Sequence, residues 1–418
     1  MKRQLLLSAL LCAALLSPGS PASARGFRVA FVGDPQVDDA LELGFARNSI
    51  YRELRERKDL DFIIFLGDLV NDKPSLLAPS KAALDSLGTP YFCVPGNHDR
   101  DVPADRIQVR DVDDYTALFG SPDTAFVRGG VHFILMNDVR LEGRAGYEGG
   151  FSVRQKEWLA SVLRDIPERA LTVFATHIPF NELSGADTLA AMMEGRPHLL
   201  SVSGHTHCVR RHELSLKVPR ISSSYNSERH SSSDPAAVTI DELVAGATCG
   251  TWWRGPEDSH GIPVATMGCG APRGYFVADF TRRGYRLAFK AVGEDENVQG
   301  SAKFLPDERK LLINCFGGHE DGTLEVKIGD GWRRLARVSR KAPEVEAVLA
   351  YNKSLSREQR KATGRGYMPM LNRPSPHVWE LVLSAEDFGT TKKGAASGTL
   401  DIRYRDPHMS FTAKSRLL

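Results

Sequence analysis

Five short apolar runs in this chain end in the same way, and that repetition limits the fold more than any other feature. The run from Phe27 leads into Asp34 and Gln36, and "FIIFLGD" ends at Asp68. "YFCVPGNHD" ends at Asn97, His98 and Asp99, "LTVFATH" at His177, and "LLSVSGHTH" at His205 and His207. Each run has the length of a fully buried strand, and each delivers a residue that can bind a cation or move a proton. Glycines at 33, 67, 96 and 204 let the backbone turn beside those residues. Segments of helical period lie between the runs, near 45–57, 75–87, 152–166 and 186–194. The third opens on a capping box, Ser152 with Gln155, ahead of Trp158, Leu159, Val162 and Leu163. This alternation, from Phe27 to about Ser203, predicts a layered α/β domain with the run at 131–136 as a strand of a mixed sheet. In open α/β sheets, ligands sit beyond the carboxyl ends of the strands. The polar residues are therefore expected to meet at one point.

The texture changes after about Arg210. A Ser-rich loop at 222–236 leads into a β-rich extension at 238–290, which completes a first domain of 25–290 with its core at 27–210. Residues 295–305 read as a linker. The short alternating strands beyond it, "KLLINCF", "TLEVKIG", "GWRRLARV", "HVWELVL" and "GTLDIRYRD", predict an all-β sandwich within 295–418. A charged surface helix is expected at 344–362. At the other end, Lys2 and Arg3, the apolar stretch Leu5 to Leu16 and "ASA" at 22–24 make a secretory signal peptide over 1–24, cleaved after Ala24. A periplasmic or secreted protein is expected, and no other segment is apolar enough to span a membrane.

Cleavage would remove two of the 54 basic residues and none of the 52 acidic ones, leaving the charges balanced. A nucleic-acid binder usually carries a basic excess, so that class loses weight. Export permits disulfides. Cys93, Cys208, Cys249, Cys269 and Cys315 remain, an odd number. Cys249 with Cys269 is the favoured pair if any forms, and five buried thiols is the equal alternative.

The donors at the strand ends are Asp34, Gln36, Asp68, Asn97, His177, His205 and His207. They offer oxygen and nitrogen without thiolate, a set suited to Mn, Fe or Zn rather than to a structural zinc cage. Seven donors exceed one ion's needs. Two divalent ions sharing Asp68 would take four protein ligands each, and such a pair supports in-line displacement at phosphorus by an activated hydroxide.

Asp34-x-Gln36, Gly67-Asp68, Gly96-Asn97-His98-Asp99, His177 and Gly204-His205-x-His207 together resemble the calcineurin-like metallophosphoesterases over about 27–210. "DELVAGATCGTWWRGPED", "GIPVATMGCGAPRGY", "LLINCF" and "HVWELVLSAEDF" resemble signatures of exported bacterial members with a β-rich C-terminal domain. The resemblance implies a four-layer αββα sandwich followed by the all-β domain. It implies a first metal on Asp34, Asp68 and His207 with Gln36 nearby, and a second on Asp68, Asn97, His177 and His205. His98 would give a proton to the leaving oxygen, oriented by Asp99. The implied activity is hydrolysis of phosphomonoesters or phosphodiesters, of small molecules or of lipid or cell-wall phosphates. Gln36 departs from the His usual there. As a weaker, neutral oxygen donor it is expected to loosen the first site and favour Mn, Mg or Fe over Zn. A protein that keeps the scaffold only to bind metal and phosphate is the alternative, and the intact His98/Asp99 pair counts against it.

Other residues are expected to be structural. His132 belongs inside the sheet, and Asn137 and Asp138 support a loop. His212, His230, His260, His319, His377 and His408 are read as surface or structural residues. Trp252 and Trp253 would pack between the domains with one of them partly exposed, and Trp332 and Trp379 would fill the sandwich core. Arg210/Arg211 and Arg282/Arg283 read as solvated charge. Substrate choice is assigned to loops such as 100–115, 139–150 and 222–236.

Overall fold

The computed structural model describes residues 26–100, 113–142, 146–218, 237–394 and 397–418. The expected signal peptide, His230 and most of the loops at 100–115 and 222–236 lie outside the described residues.

Two sheets face each other. The first runs in the order β13-β12-β1-β2-β3, with β1 (Phe27–Val32), β2 (Phe62–Phe65) and β3 (Tyr91–Cys93) parallel. An antiparallel pair, β12 (Gly274–Thr281) and β13 (Gly284–Ala291), extends it beyond β1. The second holds β4 (Thr124–Arg128), β5 (Val131–Leu135), β8 (Thr172–Ala175), β9 (Leu199–Ser203), β10 (Val209–Lys217) and β11 (Ala237–Ala245). Their order is β10-β11-β9-β8-β5-β4. A ribbon of β6 (Val139–Glu142) and β7 (Gly146–Gly149) stands apart.

The apolar runs are continuous because both faces of each sheet are covered. Phe27, Val29, Phe31, Phe62 and Ile64 point into the space between the sheets and meet Phe133, Val173, Leu200 and Val202. Alternate residues point the other way. Ala30, Val32, Ile63 and Phe65 pack under helices α1 (Ala40–Asn48), α2 (Ile50–Glu56) and α3 (Leu77–Asp85) and under α4 (Asp113–Phe119). Ile134, Phe174 and Ile240 pack under α5 (Val153–Asp165) and α6 (Ala186–Met193). The result is the expected αββα layering. The Ser152/Gln155 capping box opens α5 as the sequence predicts.

The C-terminal strands hydrogen-bond in one order, β17-β16-β20-β21-β14-β15-β19-β18. They are β14 (Val298–Leu305), β15 (Lys310–Cys315), β16 (Thr323–Ile328), β17 (Gly331–Arg334), β18 (Ala336–Arg337), β19 (Val378–Val382), β20 (Thr399–Arg405) and β21 (Ser410–Leu417). The linker expected at 295–305 is instead β14, an inner strand between β21 and β15. Buried Gly300, Ser301 and Ala302 fill a crowded place with small side chains, so no apolar alternation announces the strand. The expected surface helix divides into α7 (Pro343–Ser354) and α8 (Arg357–Ala362), and α9 (Ala385–Gly394) follows β19.

Buried side chains join this sheet to the N-terminal layers. Arg211 on β10 forms a two-pronged pair with Asp406, at 2.7 and 3.2 Å, and also donates to the Gly317 carbonyl at 2.9 Å. The two side chains are 2% and 0% exposed, so Arg211 is a buried tie and not solvated charge. Trp379 is buried as expected, whereas Trp332 lies partly exposed under the Arg403 guanidinium. No disulfide forms. Cys249 belongs to the helix-side layer of the first sheet and Cys269 to the layer between the sheets, so the favoured pair is separated by packing.

Candidate metal centre

β1, β2, β3, β8 and β9 all end on the same side of the two sheets, and the predicted residues follow them there. Backbone geometry marks the place. Asp34, Gln36, Asp68, His205 and His207 all have positive φ, between 36° and 69°. Residues with a Cβ rarely adopt that conformation, and it persists only where surrounding structure enforces it. Part of the enforcement is steric. A Cβ on Gly96 would stand against the Asp68 carboxylate, and one on Gly204 against that of Asp34.

Asp68, His177 and His205 each place a ligand atom within 4.8 Å of the others. His177 Nδ1 faces the Leu66 carbonyl at 2.8 Å, which turns Nε2 inward. There Nε2 meets Asn97 Oδ1 at 2.9 Å, His205 Nδ1 at 3.1 Å and Asp68 Oδ2 at 3.4 Å. Asp34 takes the His205 backbone N–H on both oxygens, at 3.0 and 3.1 Å. His207 gives its Nδ1 to the Gly250 carbonyl at 2.6 Å and turns Nε2 towards Asp34 Oδ1 at 3.9 Å. Gln36 is almost fully buried and donates its amide N–H to Asn71 at 3.2 Å, while its carbonyl oxygen lies 3.9 Å from Cys249 Sγ. Cys249 Sγ also lies 3.8 Å from His207 Nδ1.

These neighbours are nearly all lone-pair donors, and the protonation pattern shows the cost of gathering them. Burial lowers the His177 pKa, yet the carboxylates of Asp68, Asp34 and Asp138 win and hold it up at about 10. Burial, with the positive His177 beside it, drives His205 down to about 3. Burial also drives His207 down to about 4. Burial likewise pushes the Asp34 carboxyl well above the usual carboxylate range, so these groups crowd together at an electrostatic cost that a cation would relieve. The donor set fits divalent metal, and the Nδ1 contacts of His177 and His207 are the outer support that metal-ligating imidazoles require.

Supporting residues follow from packing. Asp138 is fully buried and accepts the backbone N–H groups of His177 and Ile178 at 3.2 and 2.9 Å. Burial raises its pKa to about 7. Trp252 packs against His207 with ring centres 4.8 Å apart and the planes tilted by 34°, and Trp253 Nε1 donates to the Pro35 carbonyl at 2.8 Å. Both tryptophans serve the metal-side loops rather than a domain interface.

His98 lies beside the cluster and donates its backbone N–H to Asp68 at 2.9 Å. Its Nδ1 lies 3.0 Å from Asp72 Oδ1, close enough for an ion pair when the imidazole is protonated but off the line of a hydrogen bond. Burial lowers the His98 pKa, but Asp72 and Asp68 outweigh it and the net shift is upward. Asp99 does not have the orienting role expected of it. Its oxygens accept the backbone N–H groups of Val70 at 3.0 Å and Gly96 at 2.9 Å, tying the loops after β2 and β3 together. Adjacent residues in a turn point in different directions, and here the carboxylate points inward. Asp72, four residues past Asp68 in "GDLVND", was the available signal. His212 pairs with Glu242 and His377 with Asn314, while His408 stacks on Tyr285. These three are structural, as expected.

A family model for calcineurin-like phosphoesterases matches residues 27–209, and one for the C terminal of calcineurin-like phosphoesterases matches 242–393. The chain belongs to the calcineurin-like phosphoesterases. It is a phosphoester hydrolase with that family's C-terminal domain. Among solved structures, the phosphoesterase is similar to a dimetal phosphatase from Danio rerio, at 14% identity over 64% of this chain and 96% of that one, with a TM-score of 0.41. It is similar to purple acid phosphatase PPD1 from yellow lupin (Lupinus luteus) at 13% identity over 71% of this chain, with a TM-score of 0.36. The match spans only about half of the lupin protein, 52% of its length. A third is GAP50, the anchor in the inner membrane complex of Plasmodium, at 14% identity over 64% of this chain and 85% of that one, with a TM-score of 0.36. No curated protein matches the chain.

Proposed function

We propose that this phosphoesterase uses two divalent ions, one on Asp34, Gln36, Asp68 and His207 and the other on Asp68, Asn97, His177 and His205. The observation that carries the reading is the meeting of Asn97 Oδ1, His205 Nδ1 and Asp68 Oδ2 within 3.4 Å of His177 Nε2. When bound, such ions neutralise phosphate charge and acidify water. The chain's own residues do the rest. Asp99 and Asp138 fix the loops that carry the ligands. His98, held by Asp72, stands beside Asp68 with its charged form favoured, as a proton donor to a leaving alkoxide requires. Mn, Fe or Zn suit the donors, and Gln36 tilts the first position towards Mn or Fe.

The substrates are phosphate esters, and export would place the enzyme among small phosphoesters or lipid and cell-wall phosphates. No described helix is long and apolar enough to cross a membrane. Fractionation of expressing cells, with sequencing of the mature N-terminus, tests export and cleavage after Ala24. For the chemistry, the protein is stripped with chelator, reloaded with Mn and given p-nitrophenyl phosphate and its bis ester. Metal-dependent hydrolysis that falls by about 10²–10⁴ in His98→Ala is expected. Two bound ions with no turnover on a broad phosphate panel would overturn the reading.

A further inference from the structure

The C-terminal domain reaches back to the metal-side loops through one short segment. Arg365 ends a guanidinium on two carboxylates, Asp39 at 2.6 Å and Glu42. Asp39 caps helix α1, accepting the Glu42 N–H at 2.9 Å, and that helix starts just past Asp34 and Gln36. Glu42 is buried and accepts the Asp38 N–H at 2.7 Å. Burial pushes its pKa up, against the Asp38 N–H and Arg365, which both favour the charged form. The Arg365 carbonyl accepts the Gly255 N–H at 2.7 Å. Gly255 ends the stretch in which Gly250 receives His207 Nδ1, Trp252 covers that ring and Trp253 holds the Pro35 carbonyl. Eight residues on from Arg365, Arg373 donates to the Thr206 carbonyl at 3.2 Å and lies 3.1 Å from Cys208 Sγ. Thr206 stands between His205 and His207, and Cys208 follows them.

One segment therefore grips two of the three loops of the first metal position. Arg365 holds the base of the Asp34–Gln36 loop, and Arg373 holds the His205–His207 loop from outside. Those loops carry most of the positive-φ residues in the centre, so they need external support to keep their shape. A guanidinium suits this work because its fork satisfies two acceptors at once in a fixed plane.

We propose that Arg365 and Arg373 are positioning residues for metal binding, and that the segment 364–373 makes the C-terminal domain an integral part of the metal centre. The proposal rests on the reading of the site as a metal centre. It names a role for the second domain that the catalytic domain cannot fill, because among the described residues no other cation bridges Asp39 and Glu42.

The test uses the full chain, stripped of metal, with Mn binding followed by titration calorimetry and by the rise in Tm that Mn produces. Wild type, Arg365→Ala, Arg373→Ala and Arg365→Lys are compared. Asp68→Asn marks the loss of the centre itself, and Arg403→Ala is a C-terminal control remote from the loops. Each arginine-to-alanine change is expected to weaken Mn binding about tenfold or more. It should also shrink the Mn-dependent rise in Tm, while Arg365→Lys recovers part of the loss and Arg403→Ala changes neither. If wild type binds no Mn, the metal reading itself falls and takes this proposal with it. If wild type binds Mn, Asp68→Asn does not, and both alanine variants bind like wild type, the metal reading stands and the positioning role is refuted. An equal fall in Tm with and without Mn, at unchanged affinity, would reduce the segment to domain glue and refute it as well.

Discussion

Asp72, and not Asp99, lies against the His98 ring, and the difference between the two carboxylates can be measured. Asp99→Ala removes the acceptor of two buried N–H groups, those of Val70 and Gly96. Each unsatisfied group costs about 1–3 kcal/mol. Part of that is offset, because burial raises the Asp99 pKa to about 7 and removal relieves a poorly solvated carboxylate. A net loss of about 2–3 kcal/mol is expected. For a cooperative unit of roughly 390 residues, with ~0.8 kcal/mol per degree of entropy at the midpoint, that is about 2–4 °C in Tm. Asp72 is 54% exposed and pairs only with His98, so Asp72→Ala should move Tm by no more than about 1 °C. Turnover should show the reverse. Asp72→Ala loses the partner that aligns His98, and kcat on p-nitrophenyl phosphate should fall about tenfold or more, bounded by the about 10²–10⁴ of His98→Ala. The double variant His98→Ala/Asp72→Ala should be no slower than His98→Ala alone, because the two act as a unit. Asp99→Ala should instead multiply with His98→Ala. If Asp72→Ala keeps kcat within twofold while Asp99→Ala proves non-additive with His98→Ala, the assignment of the orienting carboxylate is wrong.

Three further outcomes are expected. Arg211→Met leaves Asp406 buried without its cation and should cost about 3–5 kcal/mol, with much of it restored in Arg211→Met/Asp406→Leu. Burial raises the Asp406 pKa but the Arg211 pair outweighs it and the net shift is downward, so the pair's contribution is present above the unfolded carboxylate range and lost as pH falls; chemical denaturation should show the gap between wild type and variant narrowing below about pH 4. Gln36→His should raise Zn occupancy at limiting metal relative to Mn, read by elemental analysis, and equal occupancy in both proteins would reject a ligand role for the Gln36 carbonyl. Asp138→Ala should lower Mn affinity about tenfold by freeing the backbone at His177, and unchanged affinity in calorimetry would reduce Asp138 to a fold residue.

What the sequence discloses about this enzyme depends on how far each residue's role is local. A ligand at the end of a strand is legible because the strand's burial shows as an apolar run and its end is the one place where a polar side chain can leave the core. That is why Asp34, Asp68, Asn97, His177 and His205 stand out in the sequence as one set. The layered fold was legible for the same reason, since covering a sheet on both faces forces continuous apolar runs. Strand β14 escaped because Gly300, Ser301 and Ala302 carry too little side chain to show a face.

Partners are another matter, because pairing is decided by direction and not by distance along the chain. Asp99 follows His98 directly and turns away from it. Arg211 looks like surface charge until Asp406, 195 residues later, is placed against it. Cys249 and Cys269 share one stretch of sequence but lie on opposite faces of the first sheet. Arg365 and Arg373 belong to the same class: nothing near them in sequence points to a metal, and only the return of the chain across the catalytic layers gives them Asp39, Glu42 and Thr206 to hold. The ligands of such a centre can be found from strand ends alone. The groups that would make those ligands rigid are distributed by tertiary packing, and on the proposed reading they extend into the second domain, so a catalytic domain excised at the end of β13 would keep every proposed ligand and lose part of the grip on them.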